Sequence, residues 1–308
     1  MKREKKRKLI FRTVGLFFGV LALVLFVGTV GMLLYAGIIQ KDGENPIELV
    51  FSEDIFKSFQ DILTGNSSEQ KIPDDISEDE RLIQEALAAG EKVIPVNSAD
   101  AESVKLLFAG DILLDEHYAV MANLRDRGGN IGEAFSTELL ELMQSADIFM
   151  LNNEFTFTNR GTATPGKQFT FRTNPDNVSI LKEMGVDVVS VANNHIYDYG
   201  EVSLLDTLET LKNADIAYTG AGENLEEAMK PVYLIANGIK IGIISATQIE
   251  RNGTPDTKEA TRNSAGVLRC MNTENLLQVI AQMEDSCDYT ILYIHWGTES
   301  QEQIDWLQ

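Results

Sequence analysis

The chain has 308 residues, enough for about two domains of ~150 residues each. Its 44% hydrophobic and 24% charged composition is that of a folded protein and excludes collagen-like, wholly disordered and disulfide-scaffold classes. The formal charge is −21, and the first twelve residues hold seven bases and one acid, which leaves a net charge of −27 on the rest. Such a body repels nucleic acid and anionic lipid, so we expect no nucleic-acid partner.

The N-terminal segment predicts a membrane anchor. Residues 1–12 form a basic tail, and residues 13–39 contain no charged side chain. About 20 apolar residues span a bilayer, whereas a secretory signal has an apolar core of roughly 7–15 residues. A basic cluster before the span predicts a cytoplasmic N-terminus. We therefore expect a single-pass protein of the cell membrane with an extracytoplasmic C-terminal domain; a cleaved signal is the main alternative.

Residues 40–102 have the composition of an acidic stalk or linker. They carry 16 acidic and five basic side chains, with loop-forming residues near 65–69 and 73–75. Short helices are predicted over residues 47–63 and 77–89. In the second helix, Ser77 followed by Glu80 fits a capping box.

From residue 103 onward, short apolar runs alternate with amphipathic stretches, as expected of an α/β domain over residues 103–308. The predicted strands are Val104–Ala109, Ile148–Asn152, Val186–Ala192, Val232–Ala236, Ile239–Ser245 and Tyr289–His295. The predicted helices are Phe135–Gln144, Pro175–Met184, Glu201–Asn213 and Thr273–Ser286. Asn237-Gly238 predicts a two-residue hairpin. The strands are almost continuously apolar, which predicts a mixed, mostly parallel sheet with helices on both faces.

Ligands of open α/β sheets bind at the carboxyl ends of the strands. Four predicted strands end in residues able to bind metal. Gly110 allows a sharp turn that would project Asp111, and the next such strand ends Asn152-Asn153-Glu154. The third runs into a loop whose polar residues are Asn193, Asn194, His195 and Asp198, and the fourth ends at His295, four residues before Glu299.

The chemistry of these residues favours a divalent metal. Asp, Glu, Asn and His without Cys suit Mn, Fe, Zn or Mg. Such sites often hold two ions ~3.5–4 Å apart and hydrolyse phosphate esters. Asp198 would orient His195, whereas His117 lies further from its strand and is expected at the surface. Cys270 and Cys287 are too few for a disulfide framework, and whether they pair stays open.

Four motifs together resemble the CapA-type proteins of bacterial capsule and poly-γ-glutamate synthesis. They are Gly-Asp at 110–111, Asn-x-Glu at 152–154, Ala-Asn-Asn-His-x-x-Asp-x-Gly at 192–200 and His-Trp-Gly-x-Glu at 295–299. The resemblance implies a calcineurin-like (metallophosphatase-like) four-layer α/β sandwich with a mixed sheet. It also implies an anchored, outward-facing protein whose partners make or export poly-γ-glutamate or another anionic envelope polymer.

Carried over by position, the resemblance implies a set of site residues. Metal ligands would be Asp111, Glu154, Asn194, His195 and His295. His195 and Asp198 would be catalytic, whereas Arg172 and Glu299 would contact substrate.

The resemblance ends before the family pattern does. The family domain continues past His-Trp-Gly-x-Glu to a Gly-x-His-Pro-His-like motif, whereas this sequence stops nine residues after Glu299. We therefore expect an incomplete gene product. Three functions are compatible with the sequence: a metal-dependent, hydrolase-like capsule subunit, a catalytically silent binding or scaffold subunit, and a cell-envelope metallophosphoesterase unrelated to capsule.

Overall fold

The computed structural model describes residues 76–98, 100–248, 257–298 and 300–304. The expected basic tail, the uncharged segment, the first stalk helix and Glu299 lie outside these residues. In the part of the chain that the structure describes, no helix combines the length and apolarity needed to cross a membrane.

The described residues form helices and strands in an α/β arrangement. The helices are α1 (Glu78–Ala88), α2 (Ala119–Asp126), α3 (Thr137–Gln144), α4 (Val178–Glu183), α5 (Glu201–Asn213), α6 (Leu225–Ala228) and α7 (Thr273–Glu284). The strands are β1 (Lys92–Pro95), β2 (Leu106–Ile112), β3 (Ile148–Asn153), β4 (Thr156–Phe157), β5 (Arg172–Thr173), β6 (Val188–Ser190), β7 (Ala217–Thr219), β8 (Ala221–Gly222), β9 (Val232–Ala236), β10 (Ile239–Thr247), β11 (Gly266–Val267) and β12 (Tyr289–His295). Short 3-10 turns occupy Ile131–Glu133 and Pro175–Asn177.

The strands form two four-stranded sheets. The first has the order β2-β3-β6-β7 and is entirely parallel. The second has the order β1-β9-β10-β12 and is antiparallel only between β9 and β10. Asn237 (φ 55°) and Gly238 (φ 73°) join β9 to β10, which confirms the predicted hairpin. The α/β class is confirmed, but the predicted single sheet is instead divided between an all-parallel sheet and a mixed one.

The continuous apolarity of the strands follows from this division. Successive side chains of a strand point to opposite faces. Met150 of β3 packs with Leu234 and Ile243 of the second sheet, whereas its neighbour Leu151 packs with Leu204 of α5. Each central strand is therefore apolar on both faces because one face meets helices and the other meets the second sheet.

The second sheet is covered on its outer face by a helix. Ile244 of β10 packs there with Val279 and Met283 of α7. The layers consequently run helices, first sheet, second sheet, helix, with a separate apolar cluster at each of the three interfaces.

Two predicted features near the first strands differ from the structure. Gly110 does not turn the chain; β2 continues to Ile112 with a register shift between Phe108 and Asp111. The irregularity re-aims Asp111 without ending the strand, which is the usual effect of a bulge. Moreover, the segment assigned to the stalk contributes β1, which pairs with β9, because Val93 and Ile94 pack against the clusters on the two faces of the second sheet.

The second stalk helix is confirmed as α1. Ser77 Oγ accepts a hydrogen bond from the Glu80 amide (3.2 Å), and Glu80 Oε2 accepts one from the Ser77 amide (2.9 Å), which completes the capping box. Both cysteines are free thiols; Cys270 is buried and Cys287 is partly buried.

Candidate metal centre

The candidate centre lies where the ends of both sheets meet. β2, β3 and β6 are parallel, so their carboxyl ends share one edge of the first sheet. Asn152 has the same parity as Met150 in β3 and so faces the second sheet. His295 has the same parity as Tyr293, whose side chain packs between the sheets. Strand alternation therefore directs both side chains into one space.

Three of the predicted ligands converge there. Asp111, Glu154 and His295 each offer one ligand atom, and these atoms lie within 4.8 Å of one another. His295 Nδ1 is 3.5 Å from Asp111 Oδ1, and His295 Nε2 is 3.5 Å from Glu154 Oε1. Asn194 Oδ1 approaches His295 Nε2 at 3.1 Å, which adds a fourth oxygen beside the group.

The geometry and the donor types fit a divalent cation. Two ligands bound at about 2.0–2.2 Å on opposite sides of one ion are separated by at most about 4.4 Å, so a spread of 4.8 Å requires only small side-chain shifts. The set is oxygen-rich with imidazole and suits Mn, Fe, Zn or Mg. The Asp111 side chain is 51% exposed and the Glu154 and His295 side chains are 19% and 13% exposed, so solvent reaches the group from the Asp111 side.

The two carboxyl groups are driven to opposite protonation states. The hydrogen bond from His295 lowers the pKa of Asp111 to about 2. Burial, reinforced by the negative charge of Asp111, raises the pKa of Glu154 to about 8. Carboxyl groups that share one site behave in this way because both cannot ionise without repulsion. A cation between them would remove that repulsion.

The Asn152 side chain connects Asp111 and His295. Its Nδ2 donates to Asp111 Oδ1 at 2.8 Å and lies 3.3 Å from His295 Nδ1. Its Oδ1 accepts a hydrogen bond from Asn193 Nδ2 at 3.0 Å. The Asn152 amide oxygen thus accepts a hydrogen bond from Asn193, while the amide nitrogen orients Asp111 and His295.

The loop after β6 presents His195. Asn193 Oδ1 accepts from the His195 amide at 2.9 Å, and Asn193 Nδ2 donates to the Asn153 carbonyl at 2.9 Å, which ties the loop to β3. His195 Nδ1 lies 2.7 Å from Asp198 Oδ2, and its Nε2 lies 3.9 Å from Glu154 Oε1. The expected contact between Asp198 and His195 is thus present.

The protonation of His195 follows from its surroundings. Burial lowers the pKa of His195 below 6.5, which favours the neutral ring. An ionised carboxylate only accepts hydrogen bonds, so Nδ1 carries the hydrogen and Nε2 is the free acceptor that faces Glu154.

Arg172 makes its contacts with residues next to the group rather than within it. The Arg172 guanidinium stacks 4.4 Å from the centroid of the Tyr199 ring, and the Arg172 amide donates to Asp115 at 2.7 Å. Neither of these two contacts involves Asp111, Glu154 or His295. The His117 side chain is 74% exposed, as expected. Glu299 lies outside the described residues.

Lys167 is a residue that the sequence did not indicate. Its ammonium forms an ion pair with Asp198 and donates to the main-chain carbonyl of Asn194, and its side chain is only 4% exposed. Asp198 lies 31 residues further along the chain, so no local pattern could have revealed the pair.

Comparison with known proteins agrees with these motifs. The model of the family "Bacterial capsule synthesis protein PGA_cap" matches residues 105–308. The capsule biosynthesis protein CapA of Bacillus anthracis is 26% identical over 223 residues, 68% of this chain and 50% of its own length. The PGA biosynthesis protein CapA of Bacillus subtilis is 31% identical over 134 residues, 43% of this chain and 34% of its own.

Two further matches complete the comparison. A "Probable polyglutamine synthesis accessory protein" of Mycobacterium tuberculosis is 30% identical over 161 residues, 50% of this chain and 42% of its own. A candidate 5'-nucleotidase of Staphylococcus aureus, solved with α-ketoglutarate, is 16% identical at a TM-score of 0.35, covering 64% of this chain and 38% of its own; at that score it carries no weight. The chain spans about half or less of the curated relatives it matches. Because the family model covers residues 105–308, the chain belongs to the PGA_cap family of bacterial capsule synthesis proteins, as a CapA-type protein.

Proposed function

We propose that this chain is a membrane-anchored, outward-facing component of capsule or poly-γ-glutamate synthesis with a metal-dependent, hydrolase-like site on a metallophosphatase-like fold. Family membership supports the pathway. The uncharged run at residues 13–39 behind a basic tail supports the anchor and its orientation. The layer order of helices, two sheets and helix supports the fold type.

One observation carries the proposal of a metal site. Asp111, Glu154 and His295 come from three strand ends in two different sheets, yet their ligand atoms lie within 4.8 Å. These three side chains would hold the ion, with Asn194 and His195 beside them. A divalent cation in such a site supplies Lewis-acid polarisation of a carbonyl or phosphoryl group.

The neighbouring side chains suit proton transfer. With its Nδ1 hydrogen donated to Asp198, His195 keeps Nε2 free to take a proton and to return it. Asp198 fixes this tautomer and the orientation of the ring.

Arg172 is the proposed contact for an anionic substrate. The domain is strongly acidic, so binding a polyanion requires local positive charge. The Arg172 guanidinium is stacked on Tyr199, and a planar guanidinium in such a position binds carboxylate or phosphate in bidentate fashion.

Metal titration of the purified chain tests the site. We expect Mn²⁺ or Zn²⁺ to bind in calorimetric titration and Glu154→Gln to abolish or strongly weaken binding. Asp126→Asn, at an exposed acid at the end of α2, is the control and should bind as the parent does. Parent protein that binds neither ion, or a Glu154→Gln variant that binds equally well, would contradict the metal site.

Activity assays distinguish the functions. The metal-loaded protein should cleave poly-γ-glutamate or bis(p-nitrophenyl) phosphate, and His195→Ala should abolish cleavage. If metal binds, neither compound is cleaved, and polymer binding survives His195→Ala, then the catalytic proposal is wrong and the chain is a binding subunit. Cleavage of the phosphodiester alone would favour a general envelope phosphoesterase.

Protease treatment of intact cells tests the topology. An epitope at residue 1 should be protected and one at residue 304 should be digested. The opposite pattern would overturn the proposed orientation.

A further inference from the structure

We infer that Lys167 is a positioning residue of the metal centre, which holds the loop at residues 193–200 in the shape that presents Asn194 and His195. The inference rests on the proposed metal site. Lys167 lies in the connection between β4 and β5, outside the four motifs that characterise the chain.

The surroundings of Lys167 are unusual for a lysine. Lysine side chains are almost never fully buried unless they are paired. The Lys167 side chain is 4% exposed, and the carboxylate of its partner Asp198 is fully buried. A buried ion pair is weak evidence for stability, because desolvating two charges offsets much of their attraction. The hydrogen bonds around the Lys167–Asp198 pair show which part of the chain the pair holds in place.

Asp198 is enclosed by the segment that carries Lys167. The Thr164 amide donates to the Asp198 carbonyl at 2.8 Å, and Thr164 Oγ1 donates to the same oxygen at 3.0 Å. The Phe171 amide donates to Asp198 Oδ2 at 2.6 Å. The Phe171 ring centroid lies 4.3 Å from that of His195. Residues 164–171 therefore bind the loop at residues 193–200 through hydrogen bonds and an aromatic contact, and Lys167 adds an ion pair.

Each of the two Lys167 contacts fixes a residue that belongs to the centre or orients one of its side chains. Asp198 Oδ1 binds Lys167, while Asp198 Oδ2 binds His195 Nδ1, so the ammonium steadies the carboxylate that orients the imidazole. Lys167 also binds the Asn194 carbonyl, and the side chain of Asn194 reaches His295 Nε2 at 3.1 Å. Lys167 thus acts through Asp198 and Asn194.

Lys240 provides a matched control. It is also a buried lysine, with a side chain 10% exposed, paired with Glu91 and lying 4.2 Å from the centroid of the Tyr233 ring. It lies in β10 seven residues before Thr247, the register partner of His295, or about 23 Å away along the strand. Lys240→Met breaks a comparable ion pair far from the centre.

The test is calorimetric Mn²⁺ titration of the full chain with the Lys167→Met, Lys167→Arg and Lys240→Met variants. Loss of a residue that orients metal ligands typically weakens binding by about 10–100-fold, and we expect this of Lys167→Met. Lys167→Arg keeps the charge and should recover most of the affinity. Lys240→Met should bind as the parent does, although it unfolds at a lower temperature. The absorption spectrum of bound Co²⁺ gives a second readout, which should change in Lys167→Met alone.

The outcomes separate the two proposals. If the parent binds no metal, the proposed site fails. If the parent binds metal and folded Lys167→Met binds equally well with an unchanged Co²⁺ spectrum, the inference about Lys167 is wrong. Equal weakening in Lys167→Met and Lys240→Met would assign the effect to stability and also overturn it. Should Lys167→Met fail to fold, Lys167→Gln replaces it, and parent-like affinity in that variant would contradict the inference.

Discussion

The two sheets of this protein contribute unequally to its candidate metal centre. The parallel sheet supplies Asp111 from β2, Glu154 from just after β3 and the loop that follows β6, whereas among the described residues the mixed sheet supplies His295. β3 is buried along its whole length, whereas β12, which pairs with β10 at the end of the strand order of the described residues, has mostly half-exposed residues. The centre therefore depends on docking a partly exposed strand of one sheet against the buried strand ends of the other. Variants on either side of that interface test this dependence.

The largest expected effect comes from the packing between the sheets. Ile243 and Ile244 are both fully buried neighbours in β10, but Ile243 faces the first sheet and Ile244 faces α7. Substitution of either by Ala should lower the free energy of unfolding by about 2–5 kcal/mol in chemical denaturation. Only Ile243→Ala should also weaken Mn²⁺ binding, because only that change loosens the interface that positions His295. Equal metal affinities in the two variants would show that the centre tolerates looser docking.

The next effect concerns His295, the ligand that the described part of the mixed sheet supplies. Structural zinc sites bind with about 10–16 kcal/mol over four ligands, or roughly 3 kcal/mol per ligand. His295→Ala should accordingly weaken metal binding by about 100-fold. His117→Ala is the matched control, since that histidine is 74% exposed, and it should leave the calorimetric affinity unchanged. A smaller loss for His295→Ala than for Asp111→Ala would mean that the parallel sheet binds the metal largely by itself.

Substitution of Lys92 tests the interface between the two sheets at a point away from the metal centre. Its ammonium comes from β1, lies 4.3 Å from the centroid of the Tyr218 ring of β7, and is buried without a hydrogen bond to the residues that the structure describes. Burial lowers the pKa of Lys92 below 10.5. Between the folded-state pKa and 10.5 the unfolded chain binds more protons, so stability rises with pH in that interval.

Lys92→Met should therefore raise stability by about 1 kcal/mol near neutral pH, since it removes an unsatisfied polar group. It should also remove the rise with pH. Urea unfolding between pH 7 and 10.5 measures both. A destabilised variant would show that the contact with the Tyr218 ring outweighs the burial cost.

A similarly small effect is expected at the β1 end of the mixed sheet. Ser77→Ala removes the cap of α1 and should cost about 1 kcal/mol in thermal or chemical unfolding. Metal affinity should be unchanged, because α1 packs against β1 and β9, at the opposite end of the strand order from the strand that carries His295. A change in affinity would instead mean that the whole mixed sheet moves with its edge.

Much of the centre could be predicted from strand ends. Apolar runs located β3, β9, β10 and β12 to within two residues, and polar residues after such runs marked Asp111, Glu154, His195 and His295. Predictions that depended on local geometry were less reliable. A glycine before Asp111 suggested a turn, but pairing with β3 carried the strand through it.

The role of Asn152 is another feature that the sequence alone does not show. As an amide at a strand end it resembled a metal ligand, yet its oxygen accepts a hydrogen bond from Asn193. Sequence shows which atoms a side chain offers but not which neighbour has already engaged them. That neighbour comes from a loop 41 residues away.

What the sequence determined by itself is local. It determined the alternation of side chains between the two faces of each strand, the hairpin at Asn237-Gly238, the cap of α1 and the metal-binding residue types at strand ends. These follow from steric and hydrogen-bonding preferences that act over a few residues. Tertiary structure decided that there are two sheets, that β1 joins the second, that His295 meets Asp111 and Glu154, and that Lys167 reaches Asp198. These contacts join residues 31 to 184 positions apart, so they depend on the packing of the central strands on both faces and on long-range side-chain pairs rather than on local preferences.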